Sequence, residues 1–429
     1  MSKQKIVYWA LRAIRVEDNP ALFYATQLAK QHDADLEVVF FVWPLFKTAN
    51  VRSMHFLLSG VLEMAQKLKQ LNIPLKVIEL APNEYFSNEH DNMLCVINEQ
   101  HVLKPVLDAQ AKTKEVLNKH KISFDNINTA TVVPVEIASN KCEFAARTIR
   151  PKIMGLVDQY LYLLPKIKPL DQQCLTVFGE DQFNTIMSKH SYWQNLSLSS
   201  LKPGEQAAND QLEKFIRHGL DHYDQRNQYH SNGQSYLSAY LHFGMISPKK
   251  VIKVIKKTKH QHAPLFIEEA LVRRELAENY CFYNKNYDAF EGAWPWAIET
   301  LTNHLIDQRE YIYTLEQFEQ ANTHDDLWNF CQQQVLKTGY LHSYLRMYWA
   351  KMVLYWTAHP KDAIGILVHL NDTYMLDGRD PNGYTGIMWS VAGVHDRPWF
   401  NKPITGLVRT MSKNGTLKKT KLDLTDPIV

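Results

Sequence analysis

Seven of the ten tryptophans of this 429-residue chain (Trp294, Trp296, Trp328, Trp349, Trp356, Trp389 and Trp399) lie in its last third. Rings of this size fill cores. A cluster of them also suits stacking on a planar cofactor or substrate, or passing an electron from ring to ring. In LHSYLRMYWAKMVLYW, Trp349 and Trp356 are seven residues apart, two helical turns or about 10 Å along the axis. Tyr348 and Tyr355 repeat the same step beside them. A packed core stripe has this spacing too, and periodicity alone does not separate the two. The same helix carries Arg346 one turn before Trp349, with Lys351 just behind it. An arginine buried among aromatics requires a carboxylate partner.

Carboxylates abound in the next segment, HLNDTYMLDGRDPNGYTGIMWSVAGVHDRPW, which holds Asn371, Asp372, Asp377, Asp380 and Asn382 around a Gly-rich turn. It is no calcium loop, because Arg379 occupies a ligand position and no Glu follows at the right distance. Asp377–Gly378 and Asn382–Gly383 are also ordinary turn formers. In VRRELAENYCFYN, Glu275 and Asn279 lie one turn apart on an interior-leaning helix, flanked by Arg273 and Arg274. A solvated charged face is the plain alternative. In SYLSAYLHFGMIS, Ser235 and Ser238 stand near a helix start, where hydroxyls and free N–H groups suit an anion such as pyrophosphate or serve as a simple N-cap.

A local field completes the set. Residues 397–421 hold Arg397, Lys402, Arg409, Lys413, Lys418, Lys419 and Lys421 and no acid, a polarity that the overall charge of +3 conceals. A phosphate backbone is its natural counterpart; a loose basic tail is the alternative from Lys418 onward.

The elements that must position these groups fall into two kinds. Near the start, KIVYWAL, LEVVFFVW, LKVIEL and MLCVI are short and rich in β-branched and aromatic residues, and amphipathic stretches separate them. Alternation of this kind predicts a parallel sheet covered on both faces. No GxGxxG and no GxxxxGK[ST] follows the first strand, so neither a dinucleotide fingerprint nor a P-loop is supported. Residues 166–205 are mixed and polar and read as an inter-domain linker. Beyond them the period is helical almost throughout. The reading is an α/β domain over 1–165, that linker, and an all-helical domain over 206–429.

Composition sets the outer limits. With 45% apolar and 22% charged residues the chain is globular, and no apolar run reaches the length of a membrane span. Its five cysteines are far apart, which argues against a disulfide scaffold and a cysteine metal site and fits reduced thiols inside a cell.

Taken together, these segments resemble class II cyclobutane pyrimidine dimer photolyases. VYWALRAIRVEDNPAL, EFAARTIRPKI, LSAYLHFGMISP, EEALVRRELAENYCFYN, THDDLWN, RMYWAKMVLYWT and LNDTYMLDGRDPNGYTGIMWSVAGVHDRPW run in family order across nearly the whole chain. The resemblance implies a Rossmann-like α/β domain followed by an all-helical domain that binds FAD. By the mechanism of that family, light would excite the reduced anionic flavin, which would give an electron to a dimer flipped out of double-stranded DNA; the cyclobutane ring would split and the electron return. Tyr223, Arg226, Ser235, Leu237 and Ser238 would contact FAD around its phosphates. Arg346 and Asp377 would pair beside the isoalloxazine, Asn371 would sit at its reactive edge, and Asn382 is the second candidate there. Trp349, Trp328 and Trp356 would form a photoreduction relay of unspecified order. Glu275 would hydrogen-bond the dimer, with Asn279 in the same lesion pocket and Trp389 packed on the lesion. Arg397 and Arg409 would hold the opened DNA.

Pro20, Ala239, Pro398 and the strand end VINEQHVLKPV depart from the family pattern. Pro20 and the strand end fall in the antenna-bearing domain, so a second, antenna chromophore is allowed but not identified. A (6-4) photolyase would want histidines where Glu275 and Asn279 stand. A cryptochrome-type signalling flavoprotein without repair activity is the competing class, though those often carry long C-terminal extensions. The expectation is a monomeric intracellular enzyme acting in cytoplasm, nucleoid or nucleus, with no membrane and no metal.

Overall fold

The computed structural model describes residues 3–43, 48–174, 177–189 and 196–428. Four of its five strands, β1 (Lys5–Ala10), β2 (Asp35–Phe41), β3 (Leu75–Ile78) and β4 (Met93–Glu99), fall on the four apolar bursts. The fifth, β5 (Ser123–Ile127), was not legible: SFDNI is half polar because it is an edge strand with exposed positions. All pairs are parallel, in the order β3-β2-β1-β4-β5. Ile6 through Ala10 are buried on both faces, as a helix-covered parallel sheet requires. The helix Pro20–Gln31 follows β1; Asn19 caps it by accepting from the Leu22 amide at 3.1 Å, and Pro20 takes the first helical position, where no N–H is needed.

Strand order reverses between β1 and β4, the place where open α/β sheets usually leave a crevice. Here Glu99 fills it. Its carboxylate accepts from the Tyr8 hydroxyl (2.6 Å), the amides of Leu11 and Arg12 (2.9 and 2.8 Å) and the Thr129 hydroxyl (3.0 Å). That fixes the loop after β1, so that Arg12 reaches Glu278 of the helical domain at 2.5 Å and Arg15 reaches the Gly244 carbonyl at 3.0 Å. Arg12 and Glu278 are both buried. On the other side Arg52 is wholly buried and donates to the carbonyls of Val335, Leu336, Lys337 and Tyr374.

The stretch expected to be a linker is not a free tether in its described parts. Gln172 exchanges hydrogen bonds with the backbone of Leu36, and Leu170, Phe178 and Ile186 are buried in the core of the sheet. Helix Glu180–Lys189 lies on helix Val51–Lys69. The apolar residues spaced through this polar segment strap it to the sheet edge.

From 205 onward the described elements are helical. Ala263–Ile267, Glu268–Arg273 and Arg274–Tyr283 run on without a break, the middle piece widened into a π turn. The helices Asp326–Thr338, Ser343–Tyr355, Pro360–Tyr374 and Pro381–Ala392 complete the domain's core. All five cysteines are free, and no metal-binding cluster is found among the described residues.

Candidate flavin and substrate site

Two adjoining cavities of about 460 and 440 Å³ open among these helices and share Ser238 and Asp377. Together they offer dinucleotide-sized space. Each wall has a local cause. Helix Ser343–Tyr355 contributes Arg346, Met347, Trp349 and Ala350. Helix Pro360–Tyr374 delivers Asn371 in its last turn, and the chain then reverses through Gly378 and Arg379, the latter at φ +60°. A Cβ on Gly378 would lie 2.4 Å from the Asn371 carbonyl, so the turn closes only with glycine. Asp372 clamps it, accepting from the Arg379 amide (2.8 Å) and the Tyr384 hydroxyl (2.7 Å). Asp380 then caps helix Pro381–Ala392 through the Asn382 amide. That helix presents Asn382, Gly383, Gly386 and Trp389 to the cavity.

The structure thus separates the three aspartates. Asp377 is the partner Arg346 requires, at 3.1 and 3.3 Å, and the same guanidinium donates to Asn371 Oδ1 at 2.5 Å. Asp372 holds the turn. Asp380 also meets His242 Nδ1 at 3.0 Å; burial opposes its ionisation, but the His242 hydrogen bond and the His242 and Arg274 charges hold it far below the ordinary carboxylate range. His242 and Glu269, which no sequence motif marks, line the cavity, and so does Arg274, one of the two arginines flanking Glu275.

Tyr223, Ser235, Leu237 and Ser238 line the cavity as well. Ser238 begins a helix of five residues with Leu237 at the N-cap position and no side-chain cap, so the simple N-cap reading fails. Arg226 lies at the rim: it stacks over the Tyr223 ring at 4.7 Å and meets Glu269 at 3.3 Å.

Glu275 and Asn279 do not line this cavity. Glu275 Oε1 accepts from the amides of Val132 and Val133 at 2.5 and 3.3 Å, and burial pushes its carboxyl up to about 8 against those hydrogen bonds. Asn279 bridges the Glu143 amide and the Lys141 carbonyl, at 2.8 and 3.0 Å. Both side chains join the helical domain to the α/β domain. Phe266, Glu269, Ala270 and Arg274 form the cavity face of this helix, and one residue further turns a side chain about 100° away. The carboxylate that this helix puts on the wall is Glu269.

The tryptophans fall into an order. Trp349 lines the cavity, and its N–H donates to Gln332 Oε1 at 3.0 Å. Trp328 stacks behind it with ring centroids 6.3 Å apart. Trp356 follows at 6.1 Å, edge-on. Beyond Trp356 come His324 at 5.0 Å and Tyr313 at 5.9 Å, and Tyr311 stacks on His324 at the surface.

Trp389 separates the cavity from an outer recess of about 330 Å³ lined by Tyr344, Met347, Trp399, Phe400, Lys402 and Arg409. Arg409 lies over Trp399 (4.1 Å) and Trp389 (5.7 Å), and Arg397 lies over Trp399 at 5.3 Å. The basic stretch is less uniform than its sequence: Arg409 pairs with Asp396 at 2.9 Å and Lys413 pairs with Asp326. Arg397, Lys402, Lys418, Lys419 and Lys421 face solvent.

Comparison with known proteins agrees with this architecture. The chain resembles a solved cryptochrome from Synechocystis (TM-score 0.72, 14% identity, covering 92% of this chain and 83% of that one). It also resembles a photolyase from Sulfolobus tokodaii that contains two FAD molecules (TM-score 0.73, 14% identity, 97% and 87%). The fold is that of the photolyase/cryptochrome flavoproteins. Residues 6–171 match the DNA photolyase family. Over 97% of its length the chain is 36% identical to the deoxyribodipyrimidine photo-lyase of Potorous tridactylus, and 34% identical to those of Arabidopsis thaliana and Methanothermobacter thermautotrophicus, covering 79%, 87% and 93% of the three. The chain belongs to the DNA photolyase family, DNA-repair lyases whose family cofactor is FAD. No described helix is long and apolar enough to cross a membrane.

The residues present fit that cofactor. The donor set of Arg346, Asn371, Asn382 and the Ser235 and Ser238 hydroxyls suits a polar ring edge and a pyrophosphate. Gly386 has no atom within 4 Å of a would-be Cβ, leaving open wall for a flat ring.

Proposed function

We propose that the protein is a class II enzyme that repairs cyclobutane pyrimidine dimers in double-stranded DNA with light. The observation that carries this reading is one cavity that gathers the Arg346–Asp377–Asn371 constellation, the inner end of a tryptophan row, and a wall shared with a cationic outer recess. When bound and reduced, FAD supplies the photoexcited electron that opens the dimer. Arg346 and Asn371 hold the ring's polar edge, with Asp377 fixing the arginine. Trp389 is the surface on which a flipped lesion packs, and Glu269 is the carboxylate that reaches its polar edge. Trp349, Trp328 and Trp356, in that order outward, return the cofactor to its reduced state. Arg397, Arg409 and Phe400, the last 82% exposed, meet the opened duplex. The protein works as a monomer inside the cell, and any second chromophore acts only as an antenna.

The test is illuminated, reduced protein given cyclobutane and (6-4) substrates separately. Repair of the first alone is expected. Inactivity on both gives the case to a signalling flavoprotein, and activity on (6-4) alone refutes the class. Protein that stays colourless after reconstitution with FAD refutes the cofactor.

A further inference from the structure

Two indoles face the cavity, Trp349 and Trp389, and their surroundings differ in charge. Trp349 has a neutral carbonyl acceptor on its N–H and Trp328 stacked behind. Trp389 stands between two cations: Lys351 Nζ at 5.1 Å and Arg409 at 5.7 Å. Asp396 offsets Arg409, at 2.9 Å, and also accepts from the Trp399 N–H. Lys351 is fully buried on helix Ser343–Tyr355, and its ammonium donates to the neutral carbonyl of Ser390.

A lysine in a core without its own carboxylate is costly. Nothing in the flavin-binding constellation uses it. A cation beside a neutral indole attracts the ring's electron-rich face. Once the ring has lost an electron the same cation repels it, and in a buried site that repulsion is strong.

We propose that Lys351 is a positioning residue for electron flow: its buried ammonium makes Trp389 a poor electron donor, so that light-excited oxidised flavin draws its electron from Trp349. This rests on the flavin reading above. In the step concerned, one electron passes from an indole to the excited flavin and the indole is left as a radical cation. From Trp349 the positive hole moves outward to Trp328 and Trp356. From Trp389 it would stay in the lesion pocket and recombine. Lys351 thereby lets the lesion-facing ring be aromatic without short-circuiting the relay. The groups that set its charge are Asp396, which favours the ammonium, and Arg409, which opposes it; burial is the largest influence and lowers its titration to about 7.

The experiment measures the fluorescence lifetime of oxidised flavin in the loaded protein, in a Trp349→Phe background that removes the normal donor. Lys351→Met keeps chain length and removes the charge, and should shorten that lifetime about threefold or more. Adding Trp389→Phe should restore it, and Lys351→Arg should leave it long. With Lys351 intact, raising the pH from about 6 to about 9 should shorten the lifetime, because the ammonium loses its proton across that range. This second arm decides the matter if the Met variant does not fold. Lifetimes unaffected by Lys351→Met, or by pH where that variant does not fold, or a shortening that survives Trp389→Phe, overturn the inference. Failure to take up flavin at all overturns the functional reading instead.

Discussion

Trp328 and Trp349 lie nearly parallel, their planes 8° apart, and the Trp328 N–H donates 2.8 Å to the backbone carbonyl of Trp349. Stacking and hydrogen bond together fix the spacing of the two rings against rotamer drift. Trp349→Phe or Trp328→Phe should therefore abolish photoreduction with an external donor while sparing repair by chemically reduced protein. Steady illumination of the oxidised protein, followed by the flavin spectrum, checks this; normal photoreduction in both variants refutes the relay.

The Arg346 fork joins Asp377 and Asn371 in one hydrogen-bonded unit. Arg346→Ala leaves both partners without their donor inside a half-buried site. Flavin affinity should fall about tenfold or more, a charge-assisted hydrogen bond being worth about 1.5–3 kcal/mol. Equilibrium dialysis against FAD measures it.

Glu275 makes a stability prediction with a definite sign. Its carboxyl titrates higher in the folded protein, at about 8, than at its ordinary 4.5, so the native state holds the extra proton between those values. Stability from this group is full below the ordinary value and is lost as pH rises toward 8, by on the order of a few kcal/mol. Glu275→Gln keeps an oxygen acceptor for Val132 and Val133 and cannot ionise, so denaturation curves should lose that slope while repair is unchanged. Glu269→Gln should do the reverse, lowering repair yield with little effect on stability.

On the outer surface, Arg397→Ala and Lys419→Ala differ in context. Arg397 lies over Trp399 beside the recess, whereas Lys419 is on an exposed C-terminal turn. Arg397→Ala should weaken binding to dimer-containing DNA more than to undamaged DNA; Lys419→Ala should weaken both alike. Removing a cation that neutralises one phosphate should lower the salt slope by about one. Fluorescence anisotropy over a range of salt separates the two effects.

What the sequence made legible follows from how local each signal was. Four strands and the main helices announced themselves by period, and Arg346 announced its need for an acid. The relay's order did not. Trp356 ends its helix at φ −112° rather than sharing a straight face with Trp349, and Trp328 enters from another helix. Periodicity describes one element, and this row is built from two. Glu275 is buried, as its interior-leaning helix implies, but against Val132 and Val133 of the other domain rather than on the cavity wall. The π turn at Glu268–Arg273 and the drift of the helix face put Glu269 on the cavity wall, and no residue pattern marks that turn. The linker misled because Leu170, Phe178 and Ile186 are single apolar anchors in polar sequence.

The Arg12–Glu278 pair gives the molecule a mechanical character. Two charges sealed at the joint tolerate no partial separation, since opening it slightly strands each ion without water, at about 3–5 kcal/mol for an orphaned partner. The α/β and helical parts should therefore melt as one cooperative unit, and a protease that nicks the exposed chain at 196–200 should leave the fragments associated. The same property limits domain grafting: a foreign α/β module would take hold only if it brought a cation to Glu278 and a carboxylate to the loop that carries it. For this enzyme the α/β side is less an accessory than half of a lock.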